Sequence, residues 1–339
     1  MSRRQKPVSS VYSIIIPAYN ARATIKACLD AVVNQTVNRT CYEIIVVDDG
    51  STDDTASIVE SLPGIKLIRQ KNQGPAVARN RGVAEANGEI VLFTDSDCAP
   101  TTNWIEEMTR PFKEDNDIVG VKGEYRTRQK EIIARFVQLE YEDKYDIIRG
   151  HKYIDFIDTY SAAFKKDVFL EAGGYDASFP VACAEDVELS YRLSQNGYKM
   201  VFNSEAIVYH IHPNTLISYL KKKYKFAYWR VLAIKKNPNK MLKDSYTPQF
   251  MKVQAGMPPV ILVAFALLPF SKIGFSILKV ALLVYLLTMV PFVIKIIGKD
   301  ISIGLLSPPI LFLRSFAQSF GLIGGIIGSK VSKDVKKTQ

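Results

Sequence analysis

The sequence is poor in cysteine, and its few cysteines argue against a disulfide-stabilised protein and against a cysteine-ligated metal site. Only four cysteines occur in 339 residues, and they show neither paired nor metal-ligand spacing, unlike a disulfide scaffold or a zinc ribbon. We therefore expect free thiols in a reducing compartment at Cys28, Cys41, Cys98 and Cys183. The basic N-terminus leads into a short strand-like run rather than an apolar signal core, so this part of the chain is expected to stay in the cytosol.

Two common ligand-binding signatures are also missing. No Gly-x-Gly-x-x-Gly follows the first strand-like run, where Pro17-Ala18-Tyr19-Asn20 stands instead, so a dinucleotide-binding domain is not predicted. Residues 48–54 lack the central glycine and terminal glutamate of an EF-hand loop.

Acidic residues are absent from residues 215–243, which contain eight Lys and one Arg. Such a run is often a solvated face or a nucleic-acid patch. Here aromatic side chains interleave with the cations just before an apolar tail, which favours an interfacial helix against anionic headgroups and no nucleic-acid partner. These aromatic residues are Tyr219, Tyr224, Phe226, Tyr228 and Trp229.

The tail over residues 253–329 is dominated by Leu, Ile, Val, Phe and Gly and predicts membrane helices. Candidate spans lie near residues 257–270, 273–297 and 301–328. Three full spans would place the C-terminus outside, whereas its lysines favour the inside. A third segment that re-enters, broken at Pro308-Pro309, reconciles both facts. No pump-like pattern of intramembrane acids occurs, so the tail is interpreted as an anchor and lipid guide.

Apolar β-branched runs alternate with helical patterns over the N-terminal region. The predicted strands cover residues 11–17, 42–47, 65–70 and 89–94, and the predicted helices 24–34, 52–61 and 75–86. Strands joined by such helices form a parallel sheet with right-handed crossovers, so we predict an α/β domain with a mostly parallel, Rossmann-like sheet. Ligands bind at the carboxyl ends of its strands.

Two groups of acids follow this pattern. Asp95-Ser96-Asp97 ends an apolar strand-like run, and Glu185-Asp186 begins a helical one. Carboxylate oxygens hold hard cations that neutralise a leaving diphosphate, and a positioned carboxylate can take the proton of an attacking alcohol. Gly173-Gly174-Tyr175 adds a flexible turn and a ring able to stack on a sugar. The alternative is that the acid doublet merely complements a helix dipole.

Asp48-Asp49 ends the second predicted strand. A turn and helix cap would explain the pair equally well, since Gly-Ser-Thr-Asp follows. Because side chains alternate along a strand, only one of the two acids can face a site at the strand ends.

Six ordered motifs over residues 11–235 resemble a family 2 glycosyltransferase of GT-A fold, of the succinoglycan-biosynthesis type with C-terminal membrane spans. The motifs are Ile14-Ile15-Ile16-Pro17-Ala18-Tyr19-Asn20, Val46-Val47-Asp48-Asp49-Gly50-Ser51-Thr52-Asp53, Asn80-Arg81-Gly82, Asp95-Ser96-Asp97, Gly173-Gly174-Tyr175 and Glu185-Asp186. The resemblance implies inverting transfer from a nucleotide sugar, assisted by Mn²⁺ or Mg²⁺. A UDP-sugar is favoured, with a GDP-sugar as the alternative.

The resemblance also implies roles for individual residues. Ala18 and Tyr19 would frame the base, Asp49 would bond a uracil-type edge, and Asp95 would lie nearer the ribose or sugar. Asp97 would hold the metal ion on the diphosphate. The complete implied donor site is Pro17, Ala18, Tyr19, Asn20, Asp49, Arg81, Asp95 and Ser96.

On the acceptor side, we predict Asp186 as the general base, with Glu185 pointing elsewhere or orienting its neighbour. Gly173, Gly174 and Tyr175 would bind the acceptor. His210 and His212 share one face of a predicted strand. In related enzymes a histidine of this region can contact the metal or diphosphate, and either residue could do so here. His210 is favoured over His212, and a purely structural role is the alternative.

Two further features have open interpretations. Residues 131–149 have helical apolar spacing, which indicates core packing, an acceptor groove or a membrane contact. Arg192 either pairs with acids across its helix or is a surface cation.

We therefore predict a multi-pass or re-entrant cell-membrane enzyme of polysaccharide biosynthesis with a cytoplasmic catalytic domain. It would comprise a GT-A domain (1–214), basic interfacial helices (215–250), transmembrane or re-entrant helices (251–329) and a basic tail (330–339). The acceptor would be a hydroxyl of a lipid-linked or envelope saccharide. The alternatives are a polyprenyl-phosphate hexose synthase and a catalytically silent scaffold that binds nucleotide sugar. A processive synthase is disfavoured, since Gln-x-x-Arg-Trp is missing.

Overall fold

The computed structural model describes residues 11–179, 184–238, 245–270 and 272–335, with side chains to residue 328. The basic N-terminus, Cys183, two lysines of the 215–243 run (Lys240 and Lys243) and two lysines of the C-terminal tail (Lys336 and Lys337) lie outside these residues, as do the side chains of Lys330 and Lys333. The chain divides into two compact units. The first contains the described residues up to Arg128 together with Ile148–Ile211, and the second contains Gln129–Ile147 and the described residues from His212 onwards.

The first unit is built on one eight-stranded sheet, in the order β3-β2-β1-β4-β7-β6-β8-β5. Its strands are β1 Tyr12–Ala18, β2 Tyr42–Asp48, β3 Ile65–Arg69, β4 Ile90–Phe93, β5 Cys98–Pro100, β6 Ile118–Arg126, β7 Ala162–Lys165 and β8 Lys199–His210. The strands β1 to β4 pair in parallel, as predicted. The remaining part is mixed, because β7 runs antiparallel to both β4 and β6, and β5 runs antiparallel to β8.

Helices in the first unit connect these strands. They are α1 Ile25–Val33, α2 Thr55–Glu60, α3 Pro75–Ala84, α4 Trp104–Glu114, α6 Lys166–Glu171 and α7 Glu185–Gln195. The sheet is covered on both faces at the centre of β1, where Ile14, Ile15 and Ile16 are all fully buried. Side chains alternate between the two faces of a strand, so consecutive buried residues require apolar layers on both sides.

The second unit is entirely helical within the described residues. It contains most of α5 Ile132–Arg149, then α8 Leu216–Lys236, α9 Gln249–Ala266, α10 Lys272–Lys299 and α11 Ile301–Val335. Its apolar core includes Phe136 of α5, Tyr219 of α8, Tyr285 of α10 and Leu311 of α11. Residues 129–147 thus belong with the C-terminal helices rather than with the sheet that precedes them in sequence.

Among the described helices, Lys272–Lys299 and Ile301–Gly328 are long and apolar enough to cross a membrane. The predicted break at Pro308-Pro309 is wrong, since α11 continues through both prolines. Proline removes a backbone donor, yet membrane helices tolerate it where other groups bond to the freed carbonyls.

Two glycines of α11 allow close packing against α8. A Cβ atom at Gly321 would overlap the carbonyl oxygen of Tyr224, and one at Gly325 would overlap that of Tyr228. This Gly-x-x-x-Gly spacing places both glycines on one helix face, where small residues let two backbones approach.

We expect Gly325→Ala to lower the stability of the second unit by about 1–3 kcal/mol, because the added methyl group must displace backbone atoms of α8. Gly256→Ala in α9 is the matched control, since a Cβ atom there meets nothing within 4 Å. Alanine is the better helix former, so the control should be neutral or slightly stabilising. Thermal unfolding of both variants in detergent checks this, and equal shifts would contradict close packing at Gly325.

Candidate active site

The loops after β1 and β2 meet at one edge of the sheet, as predicted. Ala18 pairs with Asp48 at the ends of these parallel strands. Asn20 has a φ of 49° and its Oδ1 accepts a hydrogen bond from the backbone N–H of Thr52 at 2.8 Å. Its own N–H donates to Ser51 Oγ at 2.9 Å. The ring of Tyr19 is 52% exposed beside this junction and is accessible to a planar base.

Asp48 and Asp49 have different partners. Asp48 Oδ1 accepts from the N–H of Ser51 at 3.0 Å, which is the turn role considered above. Asp49 accepts three hydrogen bonds, from Gln70 Nε2 and from the backbone N–H groups of Gln73 and Gly74. A carboxylate has about four acceptor sites, so Asp49 retains capacity for one more donor. Its contact with a uracil-type edge stays a prediction.

Arg79 of α3 links two of the predicted acidic motifs. It is 2% exposed, and its Nη2 lies 2.7 Å from Asp95 Oδ1 while its Nη1 lies 2.9 Å from Glu185 Oε1. Burial alone would lower the pKa of this guanidinium, but the two carboxylates raise it, so the arginine stays charged. One buried cation therefore fixes the end of β4 relative to the start of α7.

Arg81, the arginine named by the motif, does not occupy this position. It is exposed in the last turn of α3, whereas Arg79 points inward. Side chains two residues apart on a helix lie on nearly opposite faces, so Arg79 and Arg81 cannot both reach Asp95. Ala76, Arg79 and Val83 have the spacing of residues on one helix face, and all three are buried. This pattern in the sequence could have indicated that Arg79, rather than Arg81, faces the interior.

The Glu185-Asp186 doublet opens α7 and its members have different environments. Glu185 is 2% exposed; its Oε1 is bonded to Arg79 and its Oε2 accepts from the N–H of Ala184 at 3.1 Å. Asp186 is only partly buried, and its Oδ1 accepts from the N–H of Val187 at 2.8 Å. Burial, then repulsion from Glu185, raises the pKa of Asp186 to about 7. The doublet thus contains one immobilised carboxylate and one suited to proton transfer near neutral pH.

The Gly-Gly-Tyr turn is held by two side chains. Asn80 Oδ1 accepts from the N–H of Tyr175, and its Nδ2 donates to the carbonyl of the same residue. Arg192 donates to the carbonyls of Ala172 and Gly174 and pairs with Glu188 at 2.6 Å. Of the two alternatives for Arg192, the structure shows the ion pair with an acid of its own helix.

Both glycines of the turn have positive φ, and a Cβ atom at Gly174 would lie 2.6 Å from Asn80 Oδ1. The ring of Tyr175, however, is 2% exposed and packs edge-on against Phe93 and Phe169. The expectation that this ring stacks on a sugar is therefore wrong for the structure observed. Binding of an acceptor by the turn itself stays a prediction.

A candidate metal centre lies where β5 pairs with β8. Cys98 is directly opposite His210 in the strand register, and Asp97 precedes Cys98. One ligand atom from each of Asp97, Cys98 and His210 lies within 4.8 Å of the others, and His210 Nδ1 is 3.5 Å from Asp97 Oδ1. The structure therefore brings together the two predicted metal residues, Asp97 and His210.

His212 has a different environment, in the second unit. Its Nε2 lies 3.0 Å from Gln138 Oε1 and its ring stacks on Tyr141. Cys98 was not among the predicted metal ligands, because the cysteines were assessed only by their spacing in sequence. The antiparallel pairing of β5 with β8 places Cys98 opposite His210. The described cysteines Cys28, Cys41 and Cys98 are free thiols, as predicted.

The chemistry of the donor set suits a hard cation. Asp97 is 45% exposed and offers carboxylate oxygens, which Mg²⁺ and Mn²⁺ prefer, and His210 adds an imidazole nitrogen. Burial, then the charge of Asp97, raises the pKa of the Cys98 thiol well above its usual range. Hard cations prefer oxygen ligands to sulfur, so Asp97 is the main candidate ligand of the three.

The mixed α/β sheet, with Asp49, Asp95 and Asp97 near its strand ends, forms a GT-A-like domain. Residues 13–171 match the model of the family described as Glycosyl transferase family 2. The solved mannosyltransferase PcManGT from Pyrobaculum calidifontis, in complex with GDP-Man and Mn²⁺, has the same fold, with a TM-score of 0.61 and 20% identity. The alignment covers 93% of this chain and 87% of that one.

Curated relatives are also glycosyltransferases by name. Glycosyltransferase AglE of Haloferax volcanii is 29% identical over 58% of this chain and 66% of its own length. The probable glycosyltransferase YdaM of Bacillus subtilis is 29% identical over 63% of this chain and 54% of its own length. The matches thus span less than two thirds of either relative.

Proposed function

We propose that the protein is a membrane-bound, inverting, metal-dependent glycosyltransferase that moves a sugar from a nucleotide-sugar donor to a hydroxyl of a lipid-linked or envelope saccharide. The observation that supports this most is the division of roles in the Glu185-Asp186 doublet. Arg79 holds Glu185, while Asp186 is partly exposed with a raised pKa. A hydroxyl acceptor requires such a base.

In the proposed reaction, the acceptor oxygen attacks the anomeric carbon as the bond from that carbon to the diphosphate oxygen breaks. The acceptor proton passes to a carboxylate oxygen of Asp186, and the electron pair of the broken bond leaves with the nucleoside diphosphate. A single displacement of this kind inverts the configuration at the anomeric carbon. Glu185, paired with Arg79, positions the helix that carries the base.

Asp97 and His210 would hold the divalent cation, Mn²⁺ or Mg²⁺, which neutralises charge on the leaving diphosphate when bound. Asp95 is already paired with Arg79, so it is assigned to positioning and to the ribose or sugar side of the donor site. Tyr19 and Asp49 are proposed to frame and bond the base. A UDP-sugar is favoured and a GDP-sugar is the alternative.

The proposed membrane location is supported by the two long apolar helices, α10 and α11. Exposed lysines on α8, among them Lys221 and Lys225, would face anionic headgroups. The catalytic domain is proposed to be cytoplasmic, where nucleotide sugars and divalent cations are accessible to it.

A donor panel tests this function. Purified full-length protein is incubated with a membrane lipid extract as the source of acceptor and with UDP-sugars and GDP-sugars, including GDP-mannose, each with Mn²⁺, Mg²⁺ or EDTA, and nucleoside diphosphate release is measured. We expect release from one donor class, and only with metal. Absence of release from every donor, with intact nucleotide binding, would instead support a silent scaffold.

A further inference from the structure

The middle of β6, in the first unit, contains a fully buried lysine. The ammonium of Lys122 contacts the carboxylate of Asp158 and donates to the hydroxyl of Tyr160 at 3.0 Å. It also lies 4.8 Å from the centre of the Tyr160 ring and 5.4 Å from that of Phe156. The desolvation cost of a buried ion pair can exceed its Coulombic gain, and apolar side chains of similar volume often support a fold equally well. The ion pair is therefore weak evidence for a purely structural role of Lys122.

The segment that contains Asp158 is bonded to the helix that carries the proposed base. The backbone N–H of Ile157 donates to Ser190 Oγ at 3.0 Å, and the hydroxyl of Ser190 donates to the carbonyl of Asp186, one turn earlier on α7, at 2.6 Å. Ser190 is buried, so these bonds are shielded from water. Asp158 follows Ile157 in the chain and contacts the Lys122 ammonium. A continuous series of contacts thus connects Lys122 with the first turn of α7.

A second series of contacts runs from Lys122 to the candidate metal centre. The ring of Tyr160 stacks on that of Tyr125, and the ring of Tyr125 stacks on His210 with 4.6 Å between the ring centres. Lys122 is therefore linked both to the helix of the proposed base and to a proposed metal ligand. An experiment on Lys122 has to separate these two links, which a measurement of metal binding does.

Charged and titratable groups from several elements act on the carboxylate of Asp186. They are Glu185 beside it on α7, Arg79 of α3, Lys122 of β6 and the phenol of Tyr175 in the turn before α7. Burial and then Glu185 raise the pKa of Asp186, whereas a backbone N–H, Arg79 and Lys122 lower it. Arg79 is bonded directly to Glu185. Lys122 is therefore the cation whose charge can be removed without breaking the ion pair of Glu185.

We propose that Lys122 is a positioning residue of the transfer reaction: it holds the segment that anchors the first turn of α7, and its positive charge keeps Asp186 in the carboxylate form that accepts the proton. Lys122 acts through Asp186 in this role and does not touch the substrate. The inference rests on the proposed function, because it concerns the base of that reaction. A lysine that only packed the sheet would have no effect on the ionisation of Asp186.

The double variant Lys122→Met/Asp158→Asn tests the inference. It replaces a buried ion pair by neutral side chains of similar size, so the fold is expected to persist. Without the positive charge the Asp186 carboxylate is harder to form, so the rise of transfer with pH should move about one pH unit towards alkaline pH. Transfer, measured as nucleoside diphosphate release with the membrane lipid extract, should fall roughly fivefold at pH 7 and recover to within about twofold of the wild-type rate at pH 9. An unmoved pH profile would overturn the proposal.

Lys199→Met/Asp117→Asn is the matched control. Lys199 begins β8 and its Nζ lies 2.6 Å from Oδ2 of Asp117, directly before β6, so the same two substitutions remove an ion pair at the opposite end of the same two strands from His210. This control should keep the wild-type pH profile. An equal alkaline shift in both double variants would show a general effect of charge on the domain and would contradict a specific role of Lys122.

Lys122→Arg separates the charge of the side chain from its shape. Arginine keeps the positive charge but is larger and planar, so the rate of transfer is expected to fall at every pH while the pH profile stays near that of the wild type. A profile that moved as far in Lys122→Arg as in Lys122→Met/Asp158→Asn would show that the shape of the lysine matters rather than its charge, and the assignment would be wrong.

Binding of Mn²⁺ distinguishes the two series of contacts. Its affinity, measured from the loss of the free-ion electron paramagnetic resonance signal, should be unchanged in Lys122→Met/Asp158→Asn, because the proposed ligands Asp97 and His210 are both kept. A loss of Mn²⁺ affinity with an unmoved pH profile would show that Lys122 acts on His210 through the stacked rings, and would refute the assignment to Asp186.

A measurement without substrate keeps this inference separate from the proposed function. The unfolding temperature of the wild type minus that of Asp186→Asn reports proton binding by Asp186, and this difference should fall with rising pH and level off above the folded pKa of about 7. In the Lys122→Met/Asp158→Asn background it should level off about one pH unit higher. Such a shift in a protein that turns over no donor would sink the proposed transfer reaction and leave the effect of Lys122 on Asp186 standing. Transfer by the wild type with no shift in either measurement would sink this inference alone.

Discussion

Asp186→Asn is expected to reduce sugar transfer to a hydroxyl acceptor by roughly 10²-fold or more while leaving nucleotide affinity unchanged. Asparagine keeps the shape of aspartate and can still accept from the N–H of Val187, but it cannot take up the acceptor proton. Donor binding and single-turnover transfer, measured on the same preparation, separate the two effects. Equal losses in both would show that Asp186 binds the donor rather than acting as base.

The pH dependence gives an independent signature of the same role. Burial and Glu185 raise the pKa of Asp186 to about 7, so the carboxylate that accepts the proton becomes populated only as the pH rises through that range. The transfer rate of the wild type should therefore increase with pH and level off above it. This rising limb should disappear in Asp186→Asn.

Stability should change in the opposite direction from activity. A carboxyl group whose pKa is raised on folding binds its proton more tightly in the folded state. The stability that this proton binding contributes at low pH is therefore lost as the pH rises through the folded pKa of about 7. Asp186→Asn removes that loss, and its unfolding temperature at pH 8 should equal or exceed that of the wild type. A lower unfolding temperature would point to a structural role.

Glu185→Gln tests the neighbouring carboxylate. It weakens the ion pair with Arg79 but leaves Asp186 available, so we expect a smaller loss of transfer accompanied by lower stability. If Glu185 proved essential and Asp186 dispensable, the assignment of the doublet would be wrong. If the acceptor were a polyprenyl phosphate, already ionised, Asp186→Asn would have little effect.

The sheet and its strand ends were predictable because their signals are local. β-branched runs such as Tyr42–Asp48 coincide with buried strands, and helix starts such as Pro75 follow capping and proline rules. The order of β5 to β8 was not predictable in this way, since it depends on pairings between residues far apart in sequence. Cys98 opposite His210 is the clearest example.

Residue roles were harder to predict than residue positions. Asp95 and Glu185, which belong to two separate motifs, bond to the same buried arginine, and this arginine lies two residues before the motif arginine. The ring of Tyr175 was expected to stack on a sugar, yet it is buried against Phe93 and Phe169. Burial of this kind depends on tertiary packing, which no local pattern encodes.

Asp97→Asn is expected to abolish nearly all transfer activity and to weaken metal binding, because it removes the one charged and exposed oxygen ligand from the candidate centre. Mn²⁺ binding can be measured directly by the loss of the free-ion electron paramagnetic resonance signal, with no need for substrate. His210→Ala should also weaken binding, but by less, since it removes a neutral ligand.

Cys98→Ala is the control for this centre, because its sulfur lies beside both proposed ligands yet a hard cation prefers oxygen ligands to sulfur. We expect this variant to bind Mn²⁺ like the wild type and to keep its metal-dependent activity. If Cys98→Ala lost the ion while Asp97→Asn kept it, the site would select a soft metal instead. Full activity of the wild-type protein in EDTA would overturn metal dependence altogether, and the charge on the leaving diphosphate would then have to be neutralised by protein cations alone.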